Sequence, residues 1–318
     1  MATTGDETLA DERGRRIQAG GAAIAAGVLT IGGGVLTQVV YSSLPDVHLI
    51  GVLREQLGPP SSRPGLKAHQ VFWYHDHAAA LILLSVVLAL AAATIGLALS
   101  QLYRSVKARR PELKPAVVYA VVAGAVLVAV SGLVRAVAQA TGSASYAGAA
   151  HQTAAAARDV LQSPTIVAAA LMQQLGVFAL GIAFVLIALN AMRVGLLTRF
   201  MGVLGIIAGV VFIVPQLGSS LPIVQAFWLC ALGVLFLHRW PAGMPPAWVT
   251  GEAQPWPTQQ QLRESRLESR AAAGEGGDEA PRRNPMRRAR PEPPETPAPE
   301  LPERRPHPSS KKKKRKRR

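Results

Sequence analysis

The chain has 318 residues, 49% of them hydrophobic, and a formal net charge of +15. The apolar residues are concentrated between positions 17 and 240, in uncharged runs of about 20 residues that are long enough to cross the hydrocarbon core of a bilayer. This pattern predicts a membrane protein and excludes an ordinary water-soluble domain, and the single cysteine, Cys230, excludes an intramolecular disulfide and a Cys-x-x-Cys motif.

Six apolar runs predict an all-α fold, a polytopic transmembrane helical bundle of about six spans that follows a charged N-terminal segment, residues 1–16. The first run is longer than the apolar part of a signal peptide, so we interpret it as an uncleaved helix, with a cleaved signal as the alternative. Pro115 precedes the third run, and Ser163 and Pro164 precede the fourth, as is typical of helix starts. The transmembrane domain, residues 17–240, therefore has predicted spans at 17–41, 78–103, 116–134, 165–192, 200–215 and 222–238.

The fifth span is the weakest of the six. An uncharged stretch of 38 residues, from Phe200 to Leu237, is interrupted by turn-forming residues between Pro215 and Pro222. The sixteen residues of the fifth run rise only about 24 Å, which is short for a bilayer. We predict two short helices joined by a tight hairpin, with a five-span version that contains a re-entrant element as the alternative.

The Lys and Arg residues are divided unequally between the two sides of this bundle. Twenty-nine of the 34 fall on the side that holds both termini, and five fall on the other side. Because cytoplasmic loops are enriched in Lys and Arg, we predict that the N-terminus and the C-terminus are cytoplasmic. Arg outnumbers Lys 26 to 8, a bias typical of GC-rich bacterial genomes, so the predicted location is the bacterial cell membrane.

Small residues predict how these helices pack. Gly205 and Gly209 form a Gly-x-x-x-Gly motif, and the first helix contains Ala23, Gly27 and a run of three glycines at 32–34. Such residues let helix backbones approach closely in lipid. The motif indicates packing within the chain, with a homo-oligomer as the alternative.

The long loop before the second span carries the residues that most suggest chemistry. Residues 46–58 predict a short surface helix, and an aromatic run, 72–74, precedes the span. Imidazole and carboxylate groups ligate zinc or copper, and imidazole also titrates near neutral pH. The candidate metal ligands are His75, Asp76, His77 and His151. The alternative interpretation is that they are interfacial polar residues that satisfy helix ends.

The chain after the last span has two parts. Residues 241–274 predict a Trp- and Pro-rich interfacial segment followed by a short helix, and residues 275–318 predict a disordered tail. The tail ends in eight basic residues, for which we expect contact with anionic lipid headgroups of the bilayer; contact with the ribosome or other RNA, and a role in topology alone, are the alternatives. These residues are Lys311, Lys312, Lys313, Lys314, Arg315, Lys316, Arg317 and Arg318.

Residues 189–256, with Met-Arg-Val-Gly-Leu-Leu-Thr-Arg-Phe-Met-Gly-Val-Leu-Gly at 192–205 as their most distinctive part, resemble a group of uncharacterised multi-pass bacterial membrane proteins. This group is chiefly actinobacterial and is defined only as a domain of unknown function. The resemblance extends over about residues 10–260 and implies the membrane fold, but no activity, cofactor or site residue.

The predicted function is correspondingly general. The spans contain no Asp, Glu, Lys or His away from their ends, which argues against ion-coupled transport and a b-type haem, and no hydrolase motif is present. We therefore expect no enzymatic activity and no cofactor. The prediction is a membrane scaffold or assembly module with a tail that contacts polyanions; the alternative is a permease-like protein that binds a metal or small molecule through the external His, Asp and Arg residues.

Overall fold

A computed structural model describes residues 5–45, 65–213, 222–241 and 243–256, and single positions between 261 and 269. The described residues form helices and no strand, which confirms the predicted all-α class. The helices are α1 (Gly5–Tyr41), α2 (Leu66–Asp76), α3 (Ala78–Arg109), α4 (Ala116–Ala147), α5 (Ala154–Leu161), α6 (Pro164–Arg193), α7 (Arg199–Ile213), α8 (Ile223–Phe236) and α9 (Pro246–Thr250).

Six of these helices form a closed ring. Helix α1 packs against α3 and α8, α3 packs against α4, α4 against α6, α6 against α7, and α7 against α8. A further contact joins α3 to α6 across the ring. Helices that are close in sequence are thus mostly neighbours, and the pairing of α1 with α8 closes the ring.

Glycines lie where ring helices approach one another closely. Gly124 in α4 and Gly176 in α6 face each other, so a Cβ added to either one lies 2.9–3.0 Å from the carbonyl oxygen of the other. Gly20 in α1 and Gly233 in α8 have the same relationship, at 3.3 and 3.0 Å. Backbones that approach this closely gain van der Waals contacts that larger side chains prevent. These glycine contacts join α4 to α6 and α1 to α8.

The two ends of the ring differ in chemistry. The Arg-rich end carries Arg16, Arg104, Arg110, Arg193 and Arg199, and the aromatic end carries Tyr41, Phe72, Trp73, Tyr74 and Tyr146. Along α1 the 25 residues from Arg16 to Tyr41 rise about 37 Å. This distance is close to the thickness of a bilayer with part of its headgroup regions.

Four helices are long and apolar enough to cross a membrane: α1, α3, α4 and the continuous segment from Ala154 to Arg193 that contains α5 and α6. Helices α7 and α8, the predicted fifth and sixth spans, have 15 and 14 residues and rise about 22 and 21 Å. The residues between them, 214–221, include the predicted hairpin and lie outside the described part of the chain.

Helix α4 is longer than its predicted span, 116–134. It continues for 13 further residues, to Ala147, so Arg135 is inside a helix rather than at the start of a loop. Beyond Arg135 the helix packs against α2 and α5 through a small apolar cluster of Ala68, Val71, Tyr146 and Ala157. The sequence alone did not show this cluster, because polar and small residues at 139–145 hide the continuation of the helix.

Other predicted segments are covered only in part. The surface helix at 46–58 and the tail at 275–318 lie outside the described residues. The short helix predicted after the Trp- and Pro-rich segment falls in a separate compact unit, residues 259–318, in which the described positions 261, 263–265 and 267–269 are helical.

Candidate functional site at the Arg-rich end

A buried ion pair joins the polar start of α1 to the last turn of α3. The guanidinium of Arg109 contacts the carboxylate of Glu12 through both of its terminal nitrogens, Nη1 to Oε1 at 2.5 Å and Nη2 to Oε2 at 3.0 Å. The Arg109 side chain is fully enclosed, and that of Glu12 is 11% exposed. Two parallel N–H···O bonds match the planar fork of arginine to the carboxylate and fix the relative position of the two helices.

The remaining donors of Arg109 are also satisfied. Nε and Nη2 donate to the carbonyl oxygen of Ala247 at 3.1 and 2.6 Å, and Nη1 donates to the carbonyl oxygen of Ser105 at 3.1 Å. The guanidinium carbon lies 5.4 Å from the centre of the Trp248 ring. A buried charge is tolerated only when it is paired and hydrogen-bonded, and Arg109 meets both conditions.

Ala247 and Trp248 belong to a segment that returns to the ring after α8. This segment, residues 243–256, is called here the Trp248 segment. The indole of Trp248 is 4% exposed and donates to the carbonyl oxygen of Leu196 at 2.8 Å, and the indole of Trp256 donates to that of Leu197 at the same distance. The segment therefore covers the turn between α6 and α7.

That turn has the backbone geometry of a helix C-terminus. Gly195 has φ +77°, and the amides of Leu196 and Leu197 both donate to the carbonyl oxygen of Ala191. A left-handed residue after the last helical turn is a common way to end a helix and favours glycine. The amide of Gln254 donates to the carbonyl oxygen of Val194 at 3.1 Å, so the Trp248 segment also satisfies the exposed backbone of the turn. This turn lies within the most distinctive part of the resemblance described above, residues 192–205.

A cavity of about 180 Å³ lies beside the ion pair. Its carboxylates and arginines are partly paired with one another, since Asp11 and Arg15 also form an ion pair at 2.8 Å. Apolar walls are contributed by Ala19, Phe236 and Trp248. Arg109, through Glu12 and the Ala247 carbonyl oxygen, holds α1, α3 and the Trp248 segment together, and we call these contacts the junction.

The predicted metal ligands lie at the aromatic end of the ring, and they differ in exposure and in the residues they contact. His75, Asp76 and His151 are exposed. The His77 ring stacks on Trp73 with centroids 4.6 Å apart, and its Nδ1 lies 3.0 Å from the Trp73 carbonyl oxygen. No group of three or more His, Cys, Asp and Glu side chains in the described ranges is placed to hold a metal ion.

The predicted packing glycines lie in the interior of the ring. A Cβ on Gly205 would meet the Trp228 indole and Ala188, and one on Gly209 would meet Val185 and the carbonyl oxygen of Gly181. Both contacts are with helices of the same chain, α6 and α8. The basic tip of the tail, residues 311–318, lies outside the described residues.

The sequence alone did not identify the main residues of the junction, which are Glu12, Arg109, Ala247 and Trp248. Glu12 was assigned only to a charged N-terminal segment, and Arg109 was counted only as one of many cytoplasmic charges. The available signal was an acidic residue four positions before Arg16, on the continuous helical pattern that leads into the first span. The expectation that Trp248 lies at the headgroup level stays a prediction; the structure adds that its indole is buried and donates to the carbonyl oxygen of Leu196.

Comparisons with protein-family models, curated proteins and solved structures found no match. The resemblance to the uncharacterised multi-pass group therefore stays a prediction from the sequence. The class that the structure supports directly is an all-helical protein with four helices able to cross a membrane.

Proposed function

We propose that the chain is a six-span protein of the bacterial cell membrane, with both termini in the cytoplasm, that acts as a non-enzymatic scaffold or assembly module. The observation that carries this proposal is the closed ring of apolar helices with an Arg-rich end that is fastened by the Trp248 segment. In this proposal the ring is the membrane anchor, and the polybasic tail contacts anionic partners.

The outer surface of the ring supports membrane insertion. Large apolar side chains point away from the protein on several helices, for example Leu83 at 61%, Val126 at 54% and Leu175 at 63% exposure. An exposed apolar surface of this extent is unfavourable in water and favourable against lipid chains.

The span count rests on how α7 and α8 complete the ring. Helix α7 starts at the Arg-rich end and α8 ends there. Gly209 packs α7 against α6, and Gly233 packs α8 against α1. Both partner helices belong to segments long enough to span a membrane. We propose that α7 and α8 are the fifth and sixth spans. The enrichment of Lys and Arg on the side of the termini supports a cytoplasmic location for that side.

The proposed scaffold role is supported by the contacts that the charged residues make. The described ion pairs, Arg109 with Glu12 and Arg15 with Asp11, join or line parts of the chain itself. We propose that the eight basic residues at 311–318 contact anionic partners, and each one near an anionic leaflet contributes about 1 kcal/mol.

Topology is tested by labelling single cysteines in intact cells with a membrane-impermeant maleimide. In a Cys230→Ser background, we expect labelling of Ser219→Cys and His151→Cys, and labelling of Ser309→Cys only after the cells are opened. Protection of Ser219→Cys with labelling of His151→Cys contradicts six spans and indicates a re-entrant hairpin. Labelling of Ser309→Cys in intact cells contradicts the proposed orientation.

The tail is tested by its attachment to anionic surfaces. The full chain in neutral phosphatidylcholine nanodiscs is mixed with vesicles that contain phosphatidylglycerol, with RNA, or with neutral vesicles. We expect salt-sensitive binding to the anionic vesicles, and loss of this binding in a chain that ends at Ser310. Equal binding by the two chains contradicts a role for the basic tip, and preference for RNA identifies the other polyanion class.

A further inference from the structure

A second cavity lies near the aromatic end, between α1, α3, α4 and α6, and is called here the crevice. Its volume is about 110 Å³. The wall is apolar along α3 and part of α4, through Leu81, Leu84, Leu88 and Val128. Leu88 is 39% exposed, so the crevice extends to the outer surface of the ring.

Arg135 is the one charged side chain among the described residues that line the crevice. It lies 19 residues after the start of α4, or about 28 Å along the helix, which places it near the outer limit of a bilayer core. No carboxylate of the described residues lies within ion-pair distance of its guanidinium, so it does not pair with Asp76 or Asp159. A cation in a partly buried, apolar site is costly without an anion, and such residues in membrane proteins mark binding sites.

Neutral polar groups surround this cation. Thr37, Tyr41, Gln139 and Gln173 all line the crevice. Their hydroxyl, phenol and amide groups offer hydrogen-bond donors and acceptors to a polar ligand.

We propose that the crevice binds the headgroup of an anionic phospholipid that carries hydroxyl groups, of the phosphatidylglycerol type. The phosphate pairs with Arg135, and the headgroup hydroxyls form hydrogen bonds with the neutral polar side chains that line the crevice. The glycerol backbone and acyl chains leave past Leu88 along the outer surface of the ring. This inference rests on the proposed membrane insertion.

Three features favour a lipid over a small soluble anion. By its position along α4, Arg135 lies near the outer limit of a bilayer core, the crevice is lined in part by an exposed leucine, and apolar residues form much of its wall. A guanidinium is well suited to phosphate oxygens because it presents a fork of donors.

The test is a titration of the detergent-solubilised full chain with phosphatidylglycerol, phosphatidylcholine or inorganic phosphate, followed by native mass spectrometry. We expect saturable binding of phosphatidylglycerol and roughly tenfold weaker binding in Arg135→Gln, the loss expected for one charge-assisted pair. The matched control is Arg158→Gln in α5, which removes the same charge at the same end but outside the crevice and leaves binding unchanged.

A second variant tests whether binding requires the open volume of the crevice, and it leaves the charge of Arg135 in place. Gly132 lines the crevice, and a Cβ added to it meets no atom within 4 Å, so Gly132→Phe introduces bulk without a backbone clash. We expect this variant to fold with normal thermal stability and to exclude phosphatidylglycerol.

The outcomes separate the lipid site from the membrane assignment. Equal binding of the two phospholipids, or unchanged binding in both Arg135→Gln and Gly132→Phe, overturns the crevice proposal. Displacement of phosphatidylglycerol by inorganic phosphate at equal concentration overturns the lipid source in favour of a soluble anion. Failure of the wild-type chain to float with reconstituted vesicles instead overturns membrane insertion itself.

Discussion

Arg109 and Arg110, consecutive at the end of α3, bind to two different neighbours of that helix. Arg109 forms its two-pronged pair with Glu12 in α1, and Nη1 of Arg110 donates to Oδ1 of Asn190 in α6 at 2.8 Å. The end of α3 is thereby connected to a helix on each side. The Arg-rich end of the ring consequently depends on specific polar contacts, whereas its middle depends on small residues and apolar packing.

Removal of one partner of the buried pair has a large expected cost. In Arg109→Ala the carboxylate of Glu12 stays enclosed without a counter-charge, and we expect stability to fall by roughly 3–5 kcal/mol. The thermal midpoint in detergent, followed by size-exclusion chromatography, measures this effect.

The control is Arg15→Ala, which breaks the Asp11–Arg15 pair. The two side chains of this pair are 40% and 58% exposed, and we expect a loss below about 1 kcal/mol. A Glu12→Leu and Arg109→Met double variant should recover much of the loss, because neither charge is then left unpaired. Equal destabilisation by Arg15→Ala and Arg109→Ala is the result that contradicts the structural importance of the buried pair.

The Trp248 indole supplies both packing and a hydrogen bond. In Trp248→Phe the carbonyl oxygen of Leu196 loses its indole donor, with an expected cost of about 1–3 kcal/mol, and Trp248→Ala also leaves a cavity, with an expected cost of about 3–5 kcal/mol. Trp240→Phe is the control, because the Trp240 indole makes no hydrogen bond with the described residues. Equal thermal midpoints for the three variants would contradict the contribution of the Trp248 indole to stability.

Gly209 tests the close contact between α6 and α7. A Cβ at this position lies 3.1 Å from the amide nitrogen of Val185 and 3.2 Å from the carbonyl oxygen of Gly181, and these backbone atoms cannot move without shifting a helix. We expect Gly209→Val to lower stability by about 1–3 kcal/mol through overpacking. Gly32→Val is the control, because a Cβ on Gly32 meets no atom within 4 Å; a comparable loss there shows that glycine replacement alone is harmful.

Tyr74 provides a pH-dependent signal outside the predicted spans. Burial raises the pKa of Tyr74 above its ordinary value of 10.0, and the neighbouring Tyr41 adds to this rise, while the charge of Arg135 lowers it. The unfolded chain therefore ionises first as the pH increases, so the contribution of Tyr74 to stability is complete below pH ~10 and is lost as the pH rises toward the folded pKa.

The measurement is the tyrosinate absorbance of the wild-type chain against Tyr74→Phe. The difference between the two titrations should have its midpoint above that of an exposed tyrosine. A difference midpoint at or below the ordinary value contradicts the burial of this phenol.

The general plan of the helices could be predicted from the sequence. Uncharged runs indicate apolar helices by length alone, and Pro164 at the start of α6 has the fixed φ that suits a first helical turn. The limits of α4 could not be predicted in this way, because Arg135 interrupts the apolar pattern although the helix continues beyond it.

The junction could not be predicted because its members are distant in sequence. Arg109 and Ala247 are 138 residues apart, and Arg109 and Glu12 are 97 apart, so no local spacing connects them. A charge count uses Arg109 only for its sign. The same count uses Arg135 only as an external charge. The crevice around Arg135 could not be predicted because its wall is made by residues from four helices.

The contact between Gly20 and Gly233 has a consequence for the order of synthesis. Helix α1 leaves the ribosome well before α8, and at typical elongation rates the 213 residues between these glycines take roughly 10–40 s to make. During this interval the glycine face of α1 has no α8 to pack against, and the Glu12 carboxylate has no complete binding site, because Ala247 and Trp248 follow later still. Ring closure is therefore a late step in assembly, and a chain interrupted before residue 233 exposes on α1 a surface that other apolar helices can occupy.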